Sequence, residues 1–221
     1  MEAITRSFSS NDWVSIVLFT ILLLLTFSKI YFTEDFRDFF RIFISNKYFT
    51  SHKRTISVFN LFSFILFIGH SLVISLAIFY FLKLTPNTTI TKNSYLLYIQ
   101  ILVGYNILIG VKYLIEKIIG EVFTIHRILD NYIFYKITYK NLLSFLMLPF
   151  LIMLIYKWQN SMIFAYIIFA IWGIANILIL LKYYSKQQKL VLGNWFYFIL
   201  YLCTLEIAPY FILYKVFTSA Q

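Results

Sequence analysis

Long apolar stretches alternate with short polar connections along almost the whole chain. Six stretches are long enough to form membrane helices, and they cover residues 13–32, 56–82, 95–119, 142–156, 162–181 and 195–217. A hydrocarbon core of roughly 30 Å needs about 20 apolar residues in one helix, whereas the strands of a membrane barrel alternate between apolar and polar residues. The continuous stretches therefore predict an all-α polytopic membrane bundle of about six transmembrane helices.

The connections between the stretches are short and contain no linker rich in Pro, Gly or Ser, which predicts one integral membrane domain over residues 1–221. The fourth stretch is the shortest and has Pro149 at its centre, where a proline is expected to kink the helix. Residues 124–139, just before it, are polar enough to be predicted as a cytoplasmic loop with a short helix of its own.

A different periodicity marks the connection after the first stretch. Phe36, Phe39, Phe40 and Phe43 recur at the spacing of one helix face, while Asp and Arg residues occupy the other faces. This pattern predicts an amphipathic helix over residues 34–45 that lies in the membrane interface. The simpler interpretation is an anchor that follows the first membrane helix, and the alternative is a helix that docks a partner or senses lipid.

Composition and charge support a membrane location and give an orientation. Hydrophobic residues make up 61% of the 221 residues, charged residues make up 13%, and the mean hydropathy is +0.81. Fourteen of the 19 Lys and Arg residues fall in the connections after the first, third and fifth stretches or at adjacent helix ends. The positive-inside rule places these connections in the cytoplasm and both termini on the opposite side of the membrane. The net charge of +10 is attributed to this topology and to anionic membrane lipids, and nucleic-acid binding is not expected.

Residues that common catalytic and metal sites need are scarce. The chain has one cysteine, Cys203, so one copy can form neither a disulfide nor a cysteine cluster. Glu121, His126 and Asp130 lack the spacing of a zinc motif, and no nucleophile is securely paired with a base. We therefore expect no catalytic residue, no metal and no cofactor, and we expect that the protein is not an enzyme.

Polar residues near the middle of three predicted membrane helices are the main candidates for a functional site. They are His70 in the second stretch, Asn106 beside Tyr105 in the third, and Glu206 at the midpoint of the sixth. An ionised carboxylate at that depth costs roughly 2.5–3.5 kcal/mol on insertion scales, so it must be protonated, paired or hydrated. The first interpretation is interhelical hydrogen bonding, and the alternatives are proton coupling through His70 and Glu206 or a polar ligand site.

Two nearby residues, Pro209 and Tyr210, support the prediction of a polar site at Glu206. Pro209 lacks an amide hydrogen, so it frees the carbonyl of Leu205 and predicts a kink one turn away. Tyr210 follows Glu206 by four residues on the same helix face and offers it a hydroxyl.

The third stretch carries charges and small residues of its own. Lys112 and Glu116 are four residues apart, which predicts a charge pair near the cytoplasmic end. Gly104 and Gly110 predict close approach of a neighbouring helix, although they lack strict GxxxG spacing.

Two segments of the chain resemble a known family. Residues 201–209 read YLCTLEIAP and are followed by Lys215, while residues 106–112 read NILIGVK and are followed by GEVF at 120–123. These segments resemble the C-terminal and central motifs of an uncharacterised multi-pass inner-membrane family of Bacteroidota, a domain of unknown function. The resemblance covers the chain from about the third stretch onward and implies an integral membrane architecture in a Gram-negative envelope, without an established activity. It places five residues in the family motifs: Asn106, Gly110, Lys112, Glu206 and Pro209.

Two functions remain after these exclusions. Membrane helices with very little extramembrane chain favour an accessory or assembly subunit that packs against a membrane-protein partner or a second copy. The alternative is a small proton-coupled transporter in which Glu206 carries the proton, His70 or Asn106 is its neighbour, and Pro209 is the flexing point. In either case membrane lipids are the surrounding partner.

Overall fold

Helix is the only regular structure in the residues that the computed structural model describes, which are residues 12–41, 61–84, 94–122, 126–157 and 161–186. The helices of these ranges are α1 Asp12–Tyr31, α2 Thr33–Phe40, α3 Leu61–Leu84, α4 Ser94–Val122, α5 His126–Tyr156 and α6 Met162–Lys186. All of them except α2 are long and apolar enough to cross a bilayer. The predicted all-α membrane class is confirmed for this part of the chain, while the sixth predicted stretch, 195–217, lies outside the described residues.

The centre of the bundle is formed by α3 and α5. α3 packs against α1, α4 and α5, and α5 packs against α2, α4 and α6. In both central helices 61% of the most apolar stretch is buried, compared with 22% in α1, 11% in α6 and 6% in α4. The outer helices therefore bury one face and present apolar side chains to lipid on the other, such as Ile107 of α4 and Ile171 of α6.

The structure of α5 differs from the sequence-based expectation. Instead of a loop followed by a short helix over 142–156, one helix runs continuously from His126 to Tyr156, with Pro149 in its interior. The polar residues that lower the hydropathy of its first half are bonded within the bundle: Lys136 to Glu116 of α4, and Thr138 to the carbonyl of Phe134. Because these side chains have partners, this half can lie in the membrane as helix.

The amphipathic helix α2 is docked on the bundle. Glu34 and Asp35 occupy its first turn, where negative charge stabilises a helix N-terminus. Phe39 is buried, and its ring lies 6.0 Å from that of Phe62 on α3, whereas Phe40 is 45% exposed. α2 thus inserts one aromatic side chain into the core, which fits the anchor interpretation; Phe43 lies outside the described residues.

Close helix contact at a glycine is found at Gly69 of α3. A Cβ atom built there would lie 3.0 Å from Cζ of Phe145 on α5. At Gly104 and Gly110 of α4, a built Cβ would have no atom within 4 Å. The close approach predicted at these two glycines is therefore not present among the described residues, because α4 is a peripheral helix with little of its surface buried.

Candidate functional site

His70 lies near the middle of α3 and is 2% exposed. Its ring is flanked by Phe67, with 6.2 Å between ring centroids, and by Tyr105 of α4 at 5.9 Å. Water cannot satisfy polar atoms at this depth, so both ring nitrogens need partners from the protein.

The imidazole bonds to two neighbouring helices at once. Nδ1 is hydrogen-bonded to Oγ of Ser144 on α5, and Nε2 lies 2.7 Å from Oη of Tyr105 on α4. Ser144 in turn donates its hydroxyl hydrogen to the carbonyl oxygen of Lys140, at 2.8 Å. These bonds form one connected chain from α4 through α3 to α5, which we call the polar clamp.

The hydrogens available on Ser144, His70 and Tyr105 fix the direction of each bond in the polar clamp. Ser144 has one hydroxyl hydrogen, and the Lys140 carbonyl accepts it, so Ser144 Oγ accepts the bond from Nδ1–H of His70. A neutral imidazole that carries its hydrogen on Nδ1 accepts at Nε2, so Tyr105 donates its hydroxyl hydrogen there. A single tautomer of a neutral ring therefore satisfies both nitrogens.

Asn106, one of the predicted site residues, forms its side-chain hydrogen bond within its own helix. Asn106 donates its side-chain amide to the carbonyl of Leu102, 2.7 Å away on its own helix, and the residue before it, Tyr105, is the one that reaches His70. Glu206, Pro209 and Tyr210 lie outside the described residues.

A buried ion pair also joins α4 and α5, closer than the polar clamp to the C-terminal end of α4 and the N-terminal end of α5. Nζ of Lys136 lies 2.9 Å from Oε1 of Glu116, and the two side chains are only 8% and 4% exposed. Glu116 was expected to pair along its own helix with Lys112; the structure gives it a partner on the next helix. Such a pair stabilises two charges that would each be costly alone in the membrane.

Two further polar residues, Lys140 on α5 and Lys112 on α4, lie along the helices between the polar clamp and the ion pair. The polar residues of this row are Ser144, Lys140 and Lys136 on α5, spaced one turn apart, and Tyr105, Lys112 and Glu116 on α4. Since α4 and α5 are antiparallel neighbours, the pairing of Glu116 with Lys136 places Lys112 and Lys140 at one common level, a turn closer to the bundle centre. We call this row, together with His70, the polar seam. It extends from Tyr105 to Glu116, which are 11 positions apart and about 16 Å apart along the helix axis.

Ser144 and Lys136 belong to the site but are not among the residues predicted from the sequence. Ser144 had an available signal, because it is the polar exception in a run of apolar residues at the depth of His70. Lys136 had none, because its partner Glu116 is 20 residues away and the two meet only through the register of α4 against α5.

The chemistry available to this arrangement is hydrogen bonding, charge pairing and proton transfer along hydrogen bonds. Within the described residues, no group of three or more His, Cys, Asp or Glu side chains could hold a metal ion. The polar seam joins helices and contains titratable groups, and in the polar clamp the Ser144 hydroxyl donates its hydrogen to the Lys140 carbonyl and not to His70.

Membrane-length helices around a buried polar centre define the chain as a polytopic helical membrane protein. Over residues 14–217 it matches the family described as a domain of unknown function, DUF4271, and it belongs to that family. The match extends over nearly the whole chain, so it includes the polar seam and the sixth predicted stretch. Neither the curated proteins nor the solved structures contain a match to the chain.

Proposed function

We propose that the protein is a non-catalytic accessory or assembly subunit of a larger membrane complex. The polar clamp carries this proposal: His70, Tyr105 and Ser144 direct their hydrogen-bonding groups at one another and join three helices. A transport site would instead turn such groups toward a ligand or a water path. Groups that are used to join helices make a rigid support for other chains.

The outer faces of the bundle are consistent with lateral packing. Ile107 and Leu114 on α4 and Ile171 and Leu178 on α6 are each at least half exposed, and their apolar side chains suit lipid or the helices of another chain. The partner is a membrane protein or a second copy. We place the subunit in a Gram-negative inner membrane with both termini in the periplasm, on the asymmetry of Lys and Arg and the resemblance to a Bacteroidota family.

A proton-coupled transporter is the second candidate, and the polar seam is the observation that favours it. Titratable side chains lie at successive levels from Glu116 to His70. Rows of titratable side chains can pass protons in membrane transporters. In this alternative, Glu206 of the sixth stretch carries the proton and His70 exchanges it.

Glu206→Gln separates the two functions, because glutamine keeps a hydrogen-bonding side chain but cannot carry a proton. For a subunit, the variant retains wild-type abundance and the wild-type mass of the complex on a native gel of detergent-extracted membranes. The same purified chain in vesicles with an entrapped pH dye then gives no proton flux above that of empty vesicles. A proton flux that is present in the wild type and absent in Glu206→Gln contradicts the subunit proposal and establishes the transporter.

A further inference from the structure

A small cavity lies where α2, α3 and α5 meet. Its volume is about 10 Å³, which is close to the space that a single water molecule needs. Phe39 of α2 and Leu66 of α3 form part of its apolar lining. Its polar lining consists of Asn141 and Thr138 of α5 and Ser63 of α3. The cavity is therefore large enough for one water molecule and offers it three polar partners.

Asn141 is the buried polar residue of this cavity whose side-chain oxygen needs a donor. The residue is 2% exposed, and its Oδ1 atom has no hydrogen-bond partner among the described residues. At 1.5 Å per residue, Asn141 lies about 5 Å from the middle of the span Ile133–Tyr156, where bulk water is absent. Buried polar atoms in proteins nearly always have a partner, because an unsatisfied one costs free energy. A hydrogen-bond donor inside the cavity would satisfy Oδ1.

The hydroxyl of Thr138 narrows the chemistry of the occupant. It donates its only hydrogen to the carbonyl oxygen of Phe134, at 2.7 Å, so towards the cavity its oxygen can only accept. Asn141 follows Thr138 by three residues, which makes the two side chains neighbours on one helix face. An occupant held between Oδ1 and Oγ1 therefore has to donate two hydrogen bonds, as a water molecule does.

A monovalent cation is a poorer occupant than water. Asn141, Thr138 and Ser63 supply oxygen atoms but no negative charge. Lys140, next to Asn141 in the sequence, adds a positive charge that opposes a bound cation.

The cavity lies about one helical turn from the polar clamp. On α3, Leu66 precedes His70 by four residues, and on α5, Asn141 precedes Ser144 by three. Residues at these spacings share a helix face, so the cavity belongs to the same contact between α3 and α5. A water molecule held there would add a second polar contact to that interface.

We propose that this cavity binds one ordered water molecule, which donates its hydrogens to Oδ1 of Asn141 and Oγ1 of Thr138 and hydrogen-bonds to Ser63 on α3. The water joins α5 to α3 beneath the docked Phe39 of α2. This site is independent of whether the protein is a subunit or a transporter.

Radiolytic hydroxyl labelling of the purified full-length protein tests the proposal, because X-rays convert a bound water into a radical that modifies the side chains around it. Phe39 should be modified severalfold faster than Phe79, since both are 1% exposed and Phe79 does not line the cavity. Asn141→Leu removes the acceptor and fills the space, so it should lower the Phe39 rate to that of Phe79. Equal rates for the two phenylalanines in the wild type, or an unchanged Phe39 rate in Asn141→Leu, overturn the proposal.

A second variant and a salt comparison complete the test. Thr138→Val keeps the shape of the side chain and removes the second acceptor, so it should also slow the labelling of Phe39, even if Asn141→Leu does not fold. An unchanged Phe39 rate in Thr138→Val overturns the proposal. Thermal unfolding of the wild type should be the same in sodium, potassium and choline chloride. A higher unfolding temperature in sodium or potassium that Thr138→Val abolishes would show that the cavity binds a cation, and the proposal would be wrong.

Discussion

At the scale of single residues, His70 shows how a polar group is accommodated in the apolar centre of the bundle. Its two nitrogens are shared between α4 and α5, and the hydroxyl of Ser144 passes the bond on to the Lys140 carbonyl. Hydrogen bonds between membrane helices contribute about 0.6 kcal/mol on average and up to about 1.7 kcal/mol. The polar clamp is therefore a moderate contributor to stability whose main effect is to fix which faces of three helices meet.

Replacing His70 by alanine should lower the free energy of unfolding by about 1–3 kcal/mol, because two hydrogen bonds are lost and two partner hydroxyls lose a bond. His70→Asn, which keeps a donor near the position of Nδ1, should be affected less. Ser75→Ala is the matched control, since the buried Ser75 hydroxyl has no hydrogen-bond partner in the described part of the chain. Thermal unfolding in detergent measures all three. Equal stability of His70→Ala and Ser75→Ala would show that the polar clamp does not hold the helices.

Removing one partner of the Glu116–Lys136 ion pair should lower the free energy of unfolding more than removing the His70 side chain does. Glu116→Gln leaves the Lys136 ammonium buried without its carboxylate, and the expected loss is about 3–5 kcal/mol. The double variant Glu116→Gln with Lys136→Gln removes both charges and should recover most of that loss. Chemical denaturation in mixed micelles gives the comparison. A double variant less stable than Glu116→Gln alone would mean that the two charges do not act as a pair.

At the scale of helices, close packing is predicted to depend on Gly69 and not on the glycines of α4. Gly69→Ala places a methyl group 3.0 Å from the Phe145 ring, so it should destabilise the protein by about 1–3 kcal/mol through overpacking. Gly110→Ala has open space and gains up to about 1 kcal/mol of helix propensity. Thermal unfolding of the pair should therefore move in opposite directions. Destabilisation by both substitutions would indicate that α4 is also covered closely at Gly110.

Phe39 is the buried aromatic side chain of α2, and Phe36 packs partly buried against the same core. Phe39→Ala should destabilise the protein by about 3–5 kcal/mol because it leaves a cavity beside Phe62, whereas Phe40→Ala, at an exposed position, should change little. Limited proteolysis of α2 in membranes checks whether the helix is released. Similar cleavage of the Phe39→Ala and Phe40→Ala variants would contradict the docked arrangement.

Hydropathy alone locates α1, α3 and α4 because their apolar runs are interrupted little. It underestimates α5, since a sliding average counts Lys136 and Lys140 against a membrane location whether or not these residues have partners. The site, too, is only partly predictable from the sequence. The depth of His70 in the membrane follows from its position in the apolar stretch, but its contacts with Tyr105 and Ser144 depend on the register of three helices. Tyr105, and not the neighbouring Asn106, contacts His70, because successive residues of an α-helix point about 100° apart around its axis.

At the scale of the whole molecule, the arrangement of basic residues predicts which ends of the bundle face each compartment. Lys157→Cys, after α5, should react with a membrane-impermeant maleimide added to spheroplasts, whereas Glu121→Cys, at the end of α4, should be protected. Both variants are made in a Cys203→Ala background. Labelling of Glu121→Cys with protection of Lys157→Cys would reverse the orientation.

The proposal that the protein is a subunit is tested most directly by identifying the proteins that bind it in the membrane. The full-length tagged chain is purified from its native membrane in mild detergent, and the co-eluting proteins are quantified by mass spectrometry. We expect a membrane protein at constant stoichiometry that is retained in Glu206→Gln and reduced by Ile171→Trp, which adds bulk to the outer face of α6. Recovery of the chain alone, as a monomer without a stoichiometric partner or second copy, would contradict the subunit proposal and favour transport.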